Sequence, residues 1–371
     1  VMVAPGLALA LSRSGGRAVP VVDHQDGLGR ASVVIPCYRY GHYLAGAVRA
    51  ALDQPGLEVE VIVVDDASPD DSGDRADDLA RADPRVTVIR HRSNQGHIAT
   101  YNDGLEAATG DWVALVSADD LLTPGALTRA AALMTEHPAV GFAYGRARHF
   151  GGVPPTPRLD ASHWIVWPGE AWLRARCRTA HNVIASPEVV VRGSVLRSVG
   201  GYRADLPHSG DLEMWMRVAA VSDVGYVVGP DQALYRQHQD NMHTTTFRAG
   251  QQDGAAIDLR HRWAAFRAVL DDDARPLAVG AALDTEARRA LAAEALDRIL
   301  SARAHGREGR VVEELVGLWQ EIVPEAEAHR GRALALGECS PLRSRSAWLP
   351  RAARNRLRNE LRWWRLNQVG A

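Results

Sequence analysis

Short runs of apolar, β-branched residues recur along the first two thirds of the chain, separated by polar stretches containing Gly or Pro. Ser32-Val33-Val34-Ile35-Pro36 and residues 59–64, 86–89, 112–116 and 140–144 form such runs, and their nearly unbroken apolar character predicts strands covered on both faces. Between them the pattern predicts helices at 44–52, at 72–82, through Ala99, Asn102, Leu105 and Ala108, and after Pro124 as a first-turn proline. Strand and helix thus alternate with short loops. That alternation predicts an α/β fold: a Rossmann-like, mostly parallel sheet with helices on both faces. Residues 146–178 lose the pattern and read as a long loop region carrying Phe150, Trp164, Trp167 and Trp172. A strand at 189–191, a turn at Gly200-Gly201, a helix over 211–221 and a strand at 226–228 follow. Beyond residue 251 the chain turns Ala-, Leu-, Arg- and Glu-rich, and helical periodicity over 255–269 and 285–300 predicts a C-terminal helical appendage. The expected organisation is an extension over 1–30, a main domain over 31–250 and a helical region over 251–371.

Acidic residues mark the ends of two predicted strands. The run at 112–116 halts at Ser117-Ala118-Asp119-Asp120, and the run at 59–64 ends in Asp65-Asp66-Ala67-Ser68. In open α/β sheets ligands bind beyond the carboxyl ends of the strands, so carboxylates there can hold a hard cation and the phosphates it bridges. Either stretch alone is equally a cap for the next helix. A third acid, Asp211, opens a predicted helix with Leu212, Trp215, Met216 and Ala219 on one face, and there the simple reading is an N-cap.

Composition narrows the chemistry. All 43 basic side chains are arginine, which excludes a Schiff-base lysine or a P-loop lysine. Cys37, Cys177 and Cys339 have neither disulfide-framework nor zinc-ligand spacing, which fits a reducing cytoplasm. Residues 2–11 make a poor signal peptide, because the apolar run is short and precedes its charges. No run approaches the ~18 apolar residues of a membrane span. Residues 343–365 hold eight Arg and one acid, giving +7 against a chain total of −2. With Trp348, Leu357, Leu361 and Trp364 interleaved, this predicts a basic amphipathic helix suited to an acidic body, a homodimer partner or a membrane surface.

In order along the chain stand Ile35-Pro36-Cys37-Tyr38, Val64-Asp65-Asp66-Ala67-Ser68, Asn94-Gln95-Gly96 with Asn102 and Gly104, and Gly110-Asp111 leading to Ser117-Ala118-Asp119-Asp120. Val199-Gly200-Gly201-Tyr202, then Gly210-Asp211-Leu212-Glu213-Met214-Trp215-Met216-Arg217, then Tyr235-Arg236-Gln237-His238 complete the series. Together they resemble the family 2 glycosyltransferases, which have the A-type nucleotide-sugar (GT-A) fold. The resemblance covers about residues 31–246. It implies that 31–145 bind the nucleotide sugar and 146–250 the acceptor. Pro36, Cys37, Tyr38, Asn94, Gly96, Ser117 and Ala118 would then line the donor, with Asp66 accepting from a uracil or thymine imide. Asp119, helped by His238, would face a Mg or Mn ion at the diphosphate, and Asp211 would be the catalytic base. Two positions depart from the family pattern: Ser117 replaces a first acid in its motif, and Gly210 replaces the Glu before the base. Glu213 is the nearest substitute carboxylate, although on a helix it points away from Asp211.

A receiver domain is excluded by the missing lysine, and a nucleotidyltransferase by the lack of a Gly-rich basic loop after the first strand. The expected activity is inverting, metal-dependent transfer from a UDP- or dTDP-sugar to a small or carrier-bound acceptor, in the cytoplasm and with no nucleic-acid partner. The Ala-rich, Lys-free composition points to a high-GC bacterial source and adds weight to natural-product biosynthesis. An envelope-saccharide transferase and a catalytically silent nucleotide-sugar-binding protein are the alternatives.

Overall fold

The computed structural model of the protein describes residues 14–22, 24, 27–239, 241, 254–272, 277–305, 309–324 and 335. The basic segment at 343–365, Cys339 and residues 1–13 of the extension lie outside the described residues. The chain divides into two compact units, one within Val1–Trp172 and Val183–Gln237, the other within Leu173–Asn182 and His238–Leu366.

The first unit holds, in chain order, β1 (Arg17–Val19), β2 (Arg30–Cys37), α1 (Gly41–Leu52), β3 (Glu58–Asp65), α2 (Ser72–Ala82), β4 (Val86–Arg90), α3 (His97–Ala107), β5 (Trp112–Leu115), β6 (Leu121–Leu122), α4 (Ala126–Glu136), β7 (Val140–Phe150) and β8 (His163–Trp167). Helix α5 (Gly169–Thr179) starts there, followed by β9 (Val190–Arg192), α6 (Gly193–Val199), α7 (Gly210–Ala219) and β10 (Asp223–Arg236). These strands form one sheet in the order β1-β8-β10-β7-β9-β5-β2-β3-β4, with β6 added to β10. Strands β4, β3, β2 and β5 run parallel, as do β7 and β10, while the short β9 joins the two sets antiparallel to both. The mostly parallel α/β sheet expected from the sequence is present. Val33, Val34 and Ile35 of β2 are all fully buried, so both faces are covered, as the unbroken apolar run requires.

Two close packings position the functional loops. At Gly104 of α3 an added Cβ would meet Val34 Cγ1 at 2.3 Å and Val64 Cγ2 at 3.0 Å, so only glycine lets α3 lie this close to β2 and β3. On the β7 side, Phe142 stacks on Trp215 of α7 with centroids 5.7 Å apart and meets Trp172 edge-on at 5.6 Å. The Trp172 Nε1–H donates to the Tyr144 hydroxyl at 3.2 Å. This aromatic stack sets the height of α7 over the sheet.

The loop region expected over 146–178 is confined to 151–162, between β7 and β8. β8, reading His-Trp-Ile-Val-Trp, is buried at every position and pairs antiparallel with β10 and β1. A strand covered on both faces shows no alternation, and flanking Pro and Gly masked it. β10 is likewise far longer than the strand expected at 226–228. Register shifts between Tyr226 and Ala233 interrupt its pairing with β7, and Gly229 at φ +117 lies within that interval. Pro124 precedes α4 rather than entering it.

The second unit contains α8 (Gly254–Leu270), α9 (Gly280–Ala304) and α10 (Arg310–Ile322). The helical pattern over 255–269 and 285–300 is therefore realised. Buried Arg262 ties this unit together, donating to Asp258 at 2.9 Å, to both oxygens of Glu294 at 2.9 and 3.1 Å, and to the Ala180 carbonyl at 2.6 Å. Among the described residues no helix is long and apolar enough to cross a membrane.

Gly104→Ala should lower stability by about 1–3 kcal/mol, because stiff β-branched neighbours must shift. Gly317→Ala on α10, where an added Cβ meets nothing within 4 Å, should raise it by about 0.5–1 kcal/mol. Urea melts of both variants check the pair; a neutral Gly104→Ala would contradict the packing described.

Candidate active site

The loop after β3 is built around Asp66. Its backbone N–H donates to the Cys37 carbonyl at 3.0 Å, which joins this loop to the one after β2. Its Oδ1 accepts from Gln95 N–H at 2.7 Å and from His91 Nδ1 at 2.7 Å, and its Oδ2 from Gly96 N–H at 2.9 Å. Asn94 Nδ2 donates to the Asp66 carbonyl at 3.3 Å. The expected donor residues Asp66, Asn94 and Gly96 are thus one assembly. A carboxylate oxygen accepts two bonds, so Oδ1 is saturated while Oδ2 keeps one acceptor position.

His91, which sequence reasoning missed, also donates from Nε2 to Asp103 Oδ2 at 2.8 Å. Two carboxylate partners require an N–H on each ring nitrogen, so His91 is the imidazolium. Burial opposes that charge, but the bonds to Asp66 and Asp103 outweigh it and raise the His91 pKa. Asp66 is lowered in turn: burial is again opposed, and overcome, by the bonds from Gln95, His91 and Gly96. Nothing local in the sequence marks His91, since its partners lie 25 and 12 residues away.

Pro36 and Cys37 close β2, and Tyr38 beyond them is 42% exposed, available to a ligand. The Cys37 thiol is buried and pushed up to about 12, chiefly by that burial, so it packs as a neutral group. Arg39, at φ +63, donates its N–H to Ser68 Oγ at 3.0 Å and holds the two loops side by side.

The second acidic loop turns tightly after β5, with Asp120 N–H donating to the Ser117 carbonyl at 3.0 Å. Ala118, Asp119 and Asp120 are buried. Arg236, the last residue of β10, holds this loop: its backbone N–H donates to Asp120 Oδ1 at 2.8 Å and its Nε to the Asp119 carbonyl at 2.9 Å. The guanidinium lies 4.5 Å over the Tyr43 ring and 4.6 Å over Phe150. Burial first, then the adjacent Asp119 charge, drives the Asp120 carboxyl well above the usual range.

Asp211 is not the cap of α7. The N-cap is Ser209, with no side-chain cap bond, and Asp211 instead accepts from Ser186 Oγ at 2.6 Å through Oδ2. Burial raises its pKa, against the pull of the Ser186 bond, the neighbouring Tyr202 hydroxyl and His97. Asn102 fixes Tyr202 by accepting its N–H at 2.7 Å and donating to its carbonyl at 2.9 Å. A Cβ at Gly210 would stand 3.2 Å from the Tyr202 ring, so a larger residue there requires that ring to move. Glu213 is fully buried in an ion pair with Arg217 at 2.7 Å, and Arg217 also donates to the carbonyls of Gly200 and Gly201. That pair anchors the helix and leaves Glu213 no proton-transfer role.

Two tyrosines feel acids from several elements. Tyr101 on α3 is raised by burial and then by Asp211, Asp119 and Asp120; Tyr235 on β10 is pushed up to about 12 by burial and then by Asp120, Asp119, Asp211 and Glu188. Carboxylates from the acidic loop and from α7 therefore act on the same phenols. Glu188, also missed in the sequence, is buried and raised to about 7, mainly by that burial.

His238 falls in the second unit, where its N–H donates to Asn241 Oδ1. Among the described residues no three His, Cys, Asp or Glu side chains gather as a ready-made metal cage. The donor set fits a Mg- or Mn-type ion nonetheless, since such ions keep several waters and take one or two carboxylates plus phosphate oxygens.

The family model described as glycosyl transferase family 2 matches residues 32–193, a span that includes Asp66 and Asp119 and stops before Asp211. An uncharacterized protein of Mycobacterium tuberculosis is 30% identical over 247 residues, covering 63% of this chain and 75% of that protein. An uncharacterized glycosyltransferase of Nostoc sp. is 35% identical over a shorter stretch, 30% of this chain and 35% of that protein. Among solved structures, S. aureus TarS 1-349 in complex with UDP-GlcNAc is similar with a TM-score of 0.57 at 18% identity, covering 83% of this chain and 88% of that one. The mannosyltransferase PcManGT from Pyrobaculum calidifontis, in complex with GDP-Man and Mn2+, gives 0.54 at 17% identity over 93% of both chains. At those identities the likeness shows the fold, the A-type glycosyltransferase architecture. With the acidic strand ends, the Asp66 assembly and the family match in agreement, the chain belongs to glycosyl transferase family 2 and is a glycosyltransferase.

Proposed function

We propose that the chain moves a single sugar, with inversion and with the help of a divalent cation, from a UDP- or dTDP-sugar to a hydroxyl on a small or carrier-bound acceptor. The observation that carries this reading is that the Asp66 assembly and the Asp119–Asp120 loop follow the carboxyl ends of β3 and β5, the two parallel neighbours of β2, while buried Asp211 is held by Ser186 instead of capping α7. Asp119 then offers a carboxylate for a cation and Asp211 one for a proton. The bound ligands of the two similar folds, UDP-GlcNAc in one and GDP-Man with Mn2+ in the other, support a nucleotide-sugar donor and a metal. The buried free thiols of Cys37 and Cys177 suit a reducing, cytoplasmic setting.

Pro36, Cys37 and Tyr38 face the nucleotide together with the Asn94–Gly96 turn, and the remaining acceptor position on Asp66 Oδ2 takes the N–H of a pyrimidine imide. Asp119, beside Ser117 and Ala118, would hold Mg or Mn with the donor's own diphosphate oxygens, and the cation would neutralise the diphosphate as it leaves. Asp211 accepts the acceptor's proton while the new C–O bond forms. Burial raises the Asp211 pKa above the ordinary aspartate value, which makes its carboxylate a stronger proton acceptor.

Three outcomes test this reading. His91 has a raised pKa, so its support of the Asp66 turn is complete below its unfolded value and is lost as pH rises through the folded one. Nucleoside-diphosphate affinity should therefore fall on the alkaline side in the wild type and be weaker and flatter with pH in His91→Gln; parallel profiles would contradict the role given to His91. Asp119→Ala should abolish the Mn-dependent part of nucleoside-diphosphate binding and leave the metal-free part, as read by calorimetry with and without Mn. Equal metal enhancement in both proteins would place the metal elsewhere. Asp211→Asn should cut single-turnover sugar transfer, to water or to an added alcohol, by about 10²–10⁴ while donor affinity and melting temperature hold. Near-wild-type transfer would remove Asp211 as the base, and a wild type that binds donor without consuming it would mark a silent binding protein.

A further inference from the structure

Between α5 and β9 the chain passes through Ala185-Ser186-Pro187-Glu188, a segment outside every motif picked out in the sequence. Ser186 has φ +91, a backbone conformation that side chains rarely adopt and that persists only where the surroundings over-determine it. Three features do so here. Pro187 locks its own φ, Val189 N–H donates to the Ser186 carbonyl at 3.1 Å, and Glu188 Oε1 accepts from Ala185 N–H at 2.7 Å. The Glu188 side chain thus closes the turn onto itself. Its cost is visible, because Glu188 is 3% exposed and its Oε2 has no hydrogen-bond partner in the structure.

The product of this local distortion is one contact: Ser186 Oγ–H donates to Asp211 Oδ2 at 2.6 Å. We propose that Ser186, held by Glu188, is a positioning residue for sugar transfer, occupying Oδ2 of Asp211 so that Oδ1 alone receives the acceptor's proton. The inference rests on the reading of Asp211 as the base. As the acceptor O–H bond breaks, its proton passes to Oδ1, the acceptor oxygen bonds to the anomeric carbon, and the C–O bond to the diphosphate breaks with its electron pair leaving on the nucleotide. The Ser186 bond does two things in that step. It fixes the rotation of the carboxylate, and it favours the ionised form against the burial that opposes it. The other titratable groups around Asp211 are His97 and Tyr101 on α3, Tyr202, Glu188, and Tyr235 on β10. The Tyr202 hydroxyl also favours the ionised form of Asp211 but makes no hydrogen bond of good geometry among the described residues, so Ser186 is the well-formed donor whose loss the variants read.

The test compares pH profiles of single-turnover donor consumption for the full chain with Mn, for wild type, Ser186→Ala, Ser186→Gly, Glu188→Gln and Glu188→Ala. Ser186→Gly removes the hydroxyl and relieves the backbone, so a fall in rate there is not a folding defect; nucleoside-diphosphate affinity checks the site in each variant. Both Ser186 variants should lose roughly tenfold or more in maximal rate, with donor affinity unchanged, and their acid limb should move to higher pH by about one unit. Glu188→Gln keeps an oxygen for Ala185 N–H and should stay near wild type, while Glu188→Ala should resemble Ser186→Ala in rate. Carboxyl-carbon NMR of Asp211 in wild type and Ser186→Gly reads the same shift without turnover. An acid limb and an Asp211 titration that stay in place in Ser186→Gly overturn the proposal, whether or not the rate falls. If Asp211→Asn is inactive and Ser186→Gly is unmoved, only this inference fails; if Asp211→Asn is active, the base assignment itself fails.

Discussion

Carboxylates crowded into a water-poor space are the constraint on which the rest of this structure depends. Asp119, Asp120, Glu188 and Asp211 all act on Tyr235, and each raises the cost of ionising its neighbours. The fold answers with fixed donors. Arg236, clasped between Tyr43 and Phe150, holds both the Asp119 carbonyl and the Asp120 carboxylate, and Ser186 does the same for Asp211. The length of β10 follows from this demand: the strand must run from the α7 side of the sheet to the acidic loop so that its final residue arrives there.

The loop after β3, which we propose faces the nucleotide, is handled in the opposite way. Asp66 is lowered rather than raised, because the turn at Gln95 and Gly96 and the imidazolium of His91 all donate to it. One carboxylate serves as the keystone of a rigid turn and retains a single free acceptor position. A firmly hydrogen-bonded Asp66 loop and a strained turn that holds Asp211 suit the separate tasks proposed for them, nucleobase recognition and proton acceptance.

The parallel strands were legible because burial on both faces leaves an unbroken apolar run, and Asp66, Asp119 and Asp211 were legible because acids at strand ends and helix starts stand out against such runs. Glycines in the ordered motifs also resolve into mechanism, with Gly104 allowing α3 to touch Val34 and Val64. What escaped was whatever depends on distant partners. β8 lacks alternation for the same reason that β2 does, yet its short aromatic run between Pro and Gly looked irregular. His91 and Ser186 gain their roles through contacts 12 to 25 residues away, Ser186 also through a positive φ that no residue type announces, and Glu188 through its burial and a local bond from Ala185. Asp211 reads as a helix cap in the sequence, and its side-chain bond from Ser186 shows that it does not cap α7.

Two positions set this chain apart from the pattern of its family, and the structure gives a physical reading of each. Ser117 leaves Asp119 to serve with Asp120, whose carboxylate is already committed to Arg236. Gly210 makes room for the Tyr202 ring beside Asp211, so an aromatic wall stands where a second acid would otherwise add charge. The central claim is that Asp211 drives one direct displacement at the anomeric carbon, and product stereochemistry tests it most directly. Proton NMR of the glycoside formed from an α-linked nucleoside-diphosphate sugar should show the β anomer in the first turnovers; an α product would contradict the account.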